Sequence, residues 1–287
     1  MRTDDLRETE NVDDRRGALG GYGPHIAIGG GGLGLVGVVL LSLLFGVDPS
    51  QLLNDAVGSA PTETTPGGAG PRSDDAALEF SRKIVGSAED VWTPILRARG
   101  ISFSPATITV YDSETPTGCG DGQSSAGPFY CPNDNHIYLD LSFFNQLAEQ
   151  FGAPGQFAQA YVIAHEYGHH IQNLIGTMDK EKAQLQGAGA TGSTGASVRL
   201  ELQADCYAGV WAFHANQQFK ILEQGDVEGG LRAASSVGDD TLQKQTQGQV
   251  VPDSFTHGSS EERVRWFKRG IAHGNLDECD TFSADEL

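Results

Sequence analysis

The segment with the clearest chemical content is His165-Glu166-Tyr167-Gly168-His169. On a helix, two histidines four residues apart lie on one face, one turn apart, where both imidazoles can bind one tetrahedral ion. Glu166 points about 100° round the helix from His165, close to such an ion without binding it first. A general base that activates a water molecule is needed at that place. A chance match to this pattern in a chain of this composition has odds of about one in a hundred, so its surroundings must support it.

A third metal ligand is needed, because catalytic zinc usually has three protein ligands and a water. The best candidate lies in Arg199-Leu-Glu201-Leu-Gln-Ala-Asp205, where the two carboxylates are four residues apart and share a helix face. The rest of that helix is small or apolar, so the pair should be buried and should need partners. We therefore predict Glu201 as a zinc ligand and Asp205 as the acceptor for a ligand histidine N–H. The alternatives are two solvated acidic residues or a salt bridge to Arg199.

The helices that carry these residues are predicted by apolar periodicity and by their ends. The first ligand helix is bounded by Pro154 and Gly176. A Gly/Ala/Thr/Ser loop, 185–197, separates it from the second ligand helix. The predicted helices are 74–99, 141–151, 155–175, 198–219 and 260–272, with smaller ones up to residue 248.

Three short strands are predicted at 106–111, 127–131 and 135–140, the last two joined by the turn residues Pro132-Asn133-Asp134. Helices dominate and the strands form one small antiparallel sheet. The fold class is therefore α+β, a mainly helical domain with a small antiparallel sheet, preceded by one transmembrane helix.

An apolar run near the N-terminus predicts that transmembrane helix. Residues 17–47 contain no charged side chain, and the apolar part exceeds the roughly 20 residues that span a bilayer. A cleaved signal peptide is the alternative, but the charged stretch before the run is long and no clean cleavage site follows. Four arginines precede the run and no basic residue follows it until Arg72, which predicts a cytoplasmic N-terminus. The catalytic domain is then extracytoplasmic, in a single-pass protein of the cell membrane.

The chain therefore divides into four predicted parts. Residues 1–25 form a cytoplasmic segment, 26–47 the transmembrane helix, 48–73 a Pro/Gly-rich linker, and 74–287 the catalytic domain. The formal net charge of the 287 residues is −19, and an acidic protein repels phosphate backbones, so nucleic acid is not an expected partner.

Four cysteines, Cys119, Cys131, Cys206 and Cys279, lie in the predicted external domain. An even number outside the membrane favours two disulfides. Of the three possible pairings, the local pair Cys119–Cys131 closes a short Gly-rich loop and leaves Cys206–Cys279. A four-cysteine zinc site is the competing interpretation, but the spacing contains no C-x₂₋₄-C pair.

Several segments resemble a known family, the bacterial putative neutral zinc metallopeptidases, and more broadly the gluzincins. The resemblance covers about residues 74–280 and includes an N-terminal anchor of the kind that such proteins often carry. It implies a zinc-dependent, zincin-like peptidase fold that acts on a peptide or protein substrate. The matching segments are Thr117-Gly-Cys-Gly120, Gly127-Pro-Phe-Tyr-Cys-Pro132, Ile137-Tyr-Leu-Asp-Leu141, Ala164-His-Glu-Tyr-Gly-His-His-Ile171, Glu201-Leu-Gln-Ala-Asp-Cys206 and His257-Gly-Ser-Ser-Glu-Glu-Arg263.

The resemblance also suggests a role for His257, since related zincins place a cationic or hydrogen-bonding residue beyond the second ligand helix to steady the oxyanion. His257 precedes a capping-box-like start, Ser259-Ser-Glu-Glu262, so a structural role at the helix entrance is the alternative. Of the further histidines, His25 lies at the predicted membrane boundary, His170 is expected to pack or to lie at the surface, and His136 and His214 are expected to be structural.

Zinc peptidases commonly bind an extended peptide against a sheet edge, and residues 135–141 or their hairpin partner are the predicted edge. The 185–197 loop is either a lid or an insertion. Two other functions stay open at this point. One is a zinc-binding module of the envelope without hydrolytic activity, and the other is a zinc amidase that acts on cell-wall peptide.

Overall fold

The computed structural model describes residues 1–17, 72–187 and 189–287. The predicted transmembrane helix, 26–47, and nearly all of the predicted linker lie outside these ranges. Within them, no helix combines the length and the apolar character needed to cross a bilayer.

The described part is mainly helical, and the long helices lie close to their predicted positions. Residue 188, in the predicted loop, is not described, and the short helix α5 occupies the start of that loop. The helices are α1 (Asp75–Ala98), α2 (Phe143–Glu149), α3 (Gln156–Leu174), α4 (Thr177–Lys180), α5 (Lys182–Leu185), α6 (Ala196–Phe219), α7 (Asp226–Ser236), α8 (Asp239–Gln247) and α9 (Ser260–His273).

Local sequence explains where the site helices begin and end. Helix α3 ends where Gly176 adopts φ +80°, a left-handed conformation that favours glycine. Helix α9 begins with a capping box, in which the Ser259 hydroxyl accepts from the Glu262 N–H and the Glu262 carboxylate accepts from the Ser259 N–H. The capping box predicted from the sequence is therefore present.

A four-stranded sheet packs beside the helices in the order β1 (Val12–Asp14), β2 (Thr107–Val110), β6 (His136–Leu139), β5 (Phe129–Cys131). The predicted antiparallel sheet is wrong in part, because β1–β2 and β2–β6 are parallel and only β5–β6 is antiparallel. A tight turn allows only antiparallel pairing between β5 and β6, whereas the long connection between β2 and β6 permits parallel pairing. A separate hairpin, β3 (Glu114–Thr117) with β4 (Gly120–Gln123), lies in that connection.

Residues 1–17 belong to the same folded unit as residues 72–287. Strand β1 pairs with β2, with Val12 opposite Ile108, and Leu6 is 5% exposed in the main core. The predicted start of the folded part near Asp74 is therefore too late. Strand β1 has three residues, two of them aspartates, and carries no apolar alternation that sequence analysis can detect.

The three helices that build the site approach one another through glycines. A Cβ atom on Gly168 of α3 would lie 2.9 Å from the carbonyl oxygen of Ala204 in α6. Gly209 of α6 and Gly270 of α9 likewise face backbone atoms of the partner helix. These contacts bring the backbones close enough for short acidic side chains of α6 to reach α3 and α9.

Both predicted disulfides are present, and together they account for all four cysteines. Cys119 is bonded to Cys131, with Cα atoms 5.8 Å apart, and Cys206 is bonded to Cys279, with Cα atoms 5.6 Å apart. The first joins β5 to the β3–β4 hairpin region. The second ties the C-terminal segment to the middle of α6.

Candidate metal centre and active site

The structure brings His165 and His169 of α3 together with Glu201 of α6. One ligand atom from each residue lies within 4.8 Å of the other two. His165 Nε2 is 3.1 Å from Glu201 Oε2, and His169 Nε2 is 3.4 Å from Glu201 Oε1. Zinc–ligand bonds of about 2.0–2.1 Å at the tetrahedral angle separate two ligand atoms by about 3.4 Å, so the two histidines and the carboxylate fit this ion.

Hydrogen bonds at the far side of each imidazole fix which nitrogen faces the carboxylate. His165 Nδ1 lies 2.8 Å from Asp205 Oδ1, and a carboxylate accepts, so Nδ1 donates. His169 Nδ1 lies 2.8 Å from Gln172 Oε1, while the amide nitrogen of Gln172 donates to the carbonyl of Leu200. Both Nδ1 atoms therefore hold protons, and both Nε2 atoms present lone pairs to a metal.

Asp205 is held by a second, fully buried partner. Arg263 of α9 donates from Nε to Asp205 Oδ2 at 2.8 Å and from Nη2 to Oδ1 at 3.0 Å. The Tyr161 hydroxyl also donates to Asp205 Oδ1. Asp205 is completely buried and Arg263 is 4% exposed. This two-point contact orients Asp205 toward His165 and compensates the burial of its charge.

The charges around the centre set its protonation in the metal-free chain. Burial raises the pKa of Asp205, but the charges of Arg263 and His165 outweigh it and lower the pKa to about 2. Burial likewise opposes ionisation of Glu201, yet the two histidines hold its pKa well below the usual range. Burial lowers the pKa of His165, and the carboxylates of Asp205 and Glu201 overcome it, raising the pKa to about 10. A metal ion therefore competes with a proton for this site.

Glu166, the predicted base, is next to the ligand group and 8% exposed. Burial raises its pKa, although the charges of His165 and His169 oppose that shift. A raised pKa brings a carboxylate closer to the operating pH, where a general base works best.

His257 lies between α8 and α9, and Asp239 at the start of α8 holds it. Its Nδ1 is 3.2 Å from Asp239 Oδ1, while Asp239 Oδ2 accepts from the backbone N–H groups of Thr256 and His257 at 2.6 and 2.7 Å. The His257 side chain is 33% exposed. Burial lowers its pKa, but the hydrogen bond to Asp239 and the charges of Glu201 and Asp239 raise it. His257 is therefore a partly exposed ring with a raised pKa, in electrostatic reach of the candidate ligand Glu201.

Sequence analysis assigned no role to Arg263, Asp239 or Gln172. Arg263 does have a signal, because it shares a helix face with Trp266 and Phe267, and an arginine on an apolar face needs an acidic partner. Asp239 lies at the start of α8, and Gln172 follows the His165–His169 motif in α3. The partners of both residues depend on tertiary contacts, which the sequence does not reveal.

Three of the other histidines have structural contacts. His170 is completely buried, with Nε2 bonded to the Ser104 carbonyl and Nδ1 3.0 Å from the Tyr130 hydroxyl. His136 Nδ1 is 2.8 Å from Thr109 Oγ1, and His214 bonds the Gly274 carbonyl. His25 lies outside the described residues.

The loop between the ligand helices contacts the segment that carries His257. The Gly192 N–H donates to the Phe255 carbonyl at 2.8 Å, and Ala196 and Ser197 bond back to residues 189 and 190. This part of the 185–197 loop, predicted to be a lid or an insertion, is thus hydrogen-bonded to the segment before His257.

Comparison with known proteins agrees with this geometry. Residues 1–282 match the family model described as "Putative neutral zinc metallopeptidase". The chain is 45% identical to the uncharacterized protein YpfJ of Escherichia coli strain K12 over 287 residues, covering 98% of this chain and 99% of the relative. It is 40% identical to the uncharacterized protein Rv2575 of Mycobacterium tuberculosis over 267 residues, covering 86% of each.

No solved structure matches the chain. The family match extends over nearly the whole chain, and it includes the N-terminal residues that pack into the domain as well as the helices that carry the histidines and carboxylates. The chain belongs to the putative neutral zinc metallopeptidase family.

Proposed function

We propose that the chain hydrolyses peptide bonds as a zinc-dependent peptidase, with His165, His169 and Glu201 as the metal ligands. The observation that carries the proposal is the meeting of these three side chains, each placing one ligand atom in the same small space. Two neutral imidazoles and one carboxylate leave a bound Zn²⁺ with a net charge near +1. When bound, zinc lowers the pKa of a coordinated water to about 7 and polarises a carbonyl group.

Glu166 is the proposed general base. Its side chain lies beside the ligand group, and burial raises its pKa toward the operating pH, which favours a general base. It takes a proton from the attacking water and later gives that proton to the leaving amine. In the metal-free chain the pKa of Glu201 is held well below its usual range, which favours this carboxylate as the ligand and not as the base.

His257 is the proposed donor to the oxygen that becomes negative during attack. The Asp239 carboxylate contacts Nδ1, which leaves Nε2 to face the substrate, and it raises the pKa of the ring. A positioned donor of this kind is effective because it needs no reorganisation when charge develops.

Strand β5 is the proposed site for the extended substrate. Strand β6 has neighbours on both sides, and among the described residues its hairpin partner β5 is one of the two edges of this sheet. β5 also lies against the metal-binding helix, since the Tyr130 hydroxyl contacts His170 Nδ1 and accepts from Asn173 Nδ2. A peptide paired with β5 would run past α3 by main-chain hydrogen bonds. Attachment to a membrane through residues 26–47 stays a prediction from the sequence.

The purified full chain, loaded with zinc, tests this proposal with an unfolded protein such as casein as substrate. We expect cleavage that a chelator abolishes and added zinc restores. Glu166→Gln keeps the size of the side chain but cannot accept the proton, so it should cleave almost nothing. Glu149→Gln, at an exposed position of α2, is the matched control and should cleave normally. Cleavage by Glu166→Gln at the parent rate would contradict the assigned base.

A further inference from the structure

Residues 1–17 and helix α1 share a buried polar contact centred on Glu89. The Glu89 carboxylate is 5% exposed and accepts from Arg7 Nη2 at 2.7 Å, Thr9 Oγ1 at 2.6 Å and Asn11 Nδ2 at 2.9 Å. Three donors from the N-terminal segment thus satisfy one buried charge on α1. Without this segment the Glu89 carboxylate would lose these three partners, and leaving a buried charge unpaired is costly.

Backbone contacts add to this side-chain contact. Gly86 of α1 lies directly against the segment, because a Cβ atom at this position would overlap the carbonyl oxygen of Arg7. The Thr9 N–H donates to the Arg82 carbonyl at 3.1 Å, and β1 continues the sheet through β2. The surface of α1 at Gly86 therefore allows the backbone of residues 7–9 to approach closely.

The two ends of segment 18–71 lie at one place on the domain. Asp112 accepts from the Gly17 N–H at 2.8 Å and from Arg72 Nη2 at 3.1 Å. The Arg16 guanidinium, 4% exposed, pairs with Asp74 at 3.0 Å and with Asp75 at 3.1 Å. The chain leaves the domain after Gly17 and rejoins it at Arg72 beside the same carboxylate.

We propose that residues 1–17 lie in the same compartment as the catalytic domain, docked on α1 and β2. A single crossing by residues 26–47, as the sequence predicts, would instead separate the two docked parts. The proposal does not depend on the proposed peptidase activity.

The arginines that favoured a cytoplasmic N-terminus have another explanation in the fold. Arg7 and Arg16 bind Glu89, Asp74 and Asp75, as described above. Arg15 pairs with Asp13 at 2.7 Å and donates to Thr115 Oγ1 at 2.8 Å. The positive-inside rule counts basic residues that flank a span, and here three of the four are used for contacts within the domain. The two disulfides favour an oxidising compartment for the domain, and so for its docked N-terminus.

Cysteine labelling of the full chain in cells tests the shared compartment. All four native cysteines are paired, so Asp4→Cys and Asp285→Cys each introduce one free thiol at an exposed position. A membrane-impermeant maleimide is applied to spheroplasts before and after lysis. We expect the same accessibility at both positions, with both labelled before lysis. Protection of both until lysis also keeps them in one compartment, on the cytoplasmic side. Labelling of Asp285→Cys alone before lysis would overturn the proposal.

A second measurement tests whether residues 1–17 are docked on α1. It compares the direction in which two glycine substitutions change the Tm. Alanine favours a helix over glycine, so Gly229→Ala, inside α7 with only an arginine side chain nearby, should raise the Tm of the purified full chain. Gly86→Ala should lower the Tm by several degrees, because its methyl group displaces the Arg7 backbone. An equal rise in both variants would show that residues 1–17 are not docked on α1.

Discussion

Two histidine–carboxylate pairs serve the candidate site, and they differ in how firmly they are held. His165 and Asp205 are buried, and Arg263 and Tyr161 complete the hydrogen bonds of Asp205. His257 and Asp239 lie at helix entrances, and the His257 side chain is one-third exposed. In the proposed function, the first pair fixes a metal ligand before any metal arrives, whereas the second keeps the proposed oxyanion donor accessible to substrate. The comparison teaches that the buried pair fixes the orientation of a side chain, whereas the partly exposed pair leaves a side chain within reach of other molecules.

The largest effect is expected from breaking the buried pair. Arg263→Ala leaves the Asp205 charge buried with only His165 and Tyr161, and removing one partner of such a pair costs about 3–5 kcal/mol. Chemical denaturation of the metal-free chain measures the change in the free energy of unfolding. Arg265 lies two residues further along α9 and pairs with the exposed carboxylates of Glu261 and Glu286. Arg265→Ala should therefore cost less than about 1 kcal/mol. Equal losses in the two variants would show that the Asp205–Arg263 pair has no special weight.

His257→Ala probes the exposed pair and should act on turnover instead of on the fold. Removing one oxyanion donor typically lowers kcat by about 10²–10³-fold. Zinc content and Tm should stay close to those of the parent, because the ring is partly exposed and lies outside the ligand set. Steady-state kinetics with metal analysis on the same preparation checks this. Loss of the fold would show that His257 is a structural residue at the entrance of α9.

Asp205→Asn weakens the orientation of His165 without removing a metal ligand. The amide oxygen can still accept from Nδ1, but the negative charge that favours this arrangement is lost. Zinc affinity should fall about 10–100-fold, as for other partners of metal-bound histidines. Competition with a chelator of known affinity measures it. An unchanged affinity would mean that the buried pair does not tune the metal.

The smallest change is expected from Asp239→Asn, which should show in pH dependence. Asp239 raises the pKa of His257, so the ring stays protonated to a higher pH than it would alone. Removing the carboxylate charge lowers that pKa, and His257 then loses its proton at lower pH. The alkaline limb of the kcat/KM profile should therefore move to lower pH, with little change at the acid side. A profile that superimposes on the parent would separate Asp239 from the proposed role of His257.

The difference between local and distant contacts also explains which site residues could be predicted from the sequence. His165, His169, Glu201 and Asp205 follow from helical spacing within two segments, so their meeting needs only two helices to pack face to face. Arg263 lies 58 residues beyond its partner Asp205, and Asp239 lies 18 residues before its partner His257, so only tertiary packing selects them. Arg263 still gave a local signal on the apolar face of α9, which Asp239 did not.

The fold shows a similar division between local and distant information. Long helices such as α3 and α6 were predicted closely, because periodicity and end signals lie within the segment. The parallel pairing of β2 with β6 and the addition of β1 depend on contacts across many residues. Strand β1 was missed for this reason, and with it the inclusion of residues 1–17 in the domain.

The most direct test of the central proposal is the zinc content of Glu201→Gln beside that of Glu166→Gln, measured on purified protein together with peptide cleavage. Both glutamates belong to the same candidate site, yet one is proposed as a ligand and the other as a base. We expect Glu166→Gln to hold about one zinc per chain and to cleave almost nothing. We expect Glu201→Gln to lose zinc and activity together. Full zinc and full activity in Glu201→Gln would contradict the ligand set of His165, His169 and Glu201.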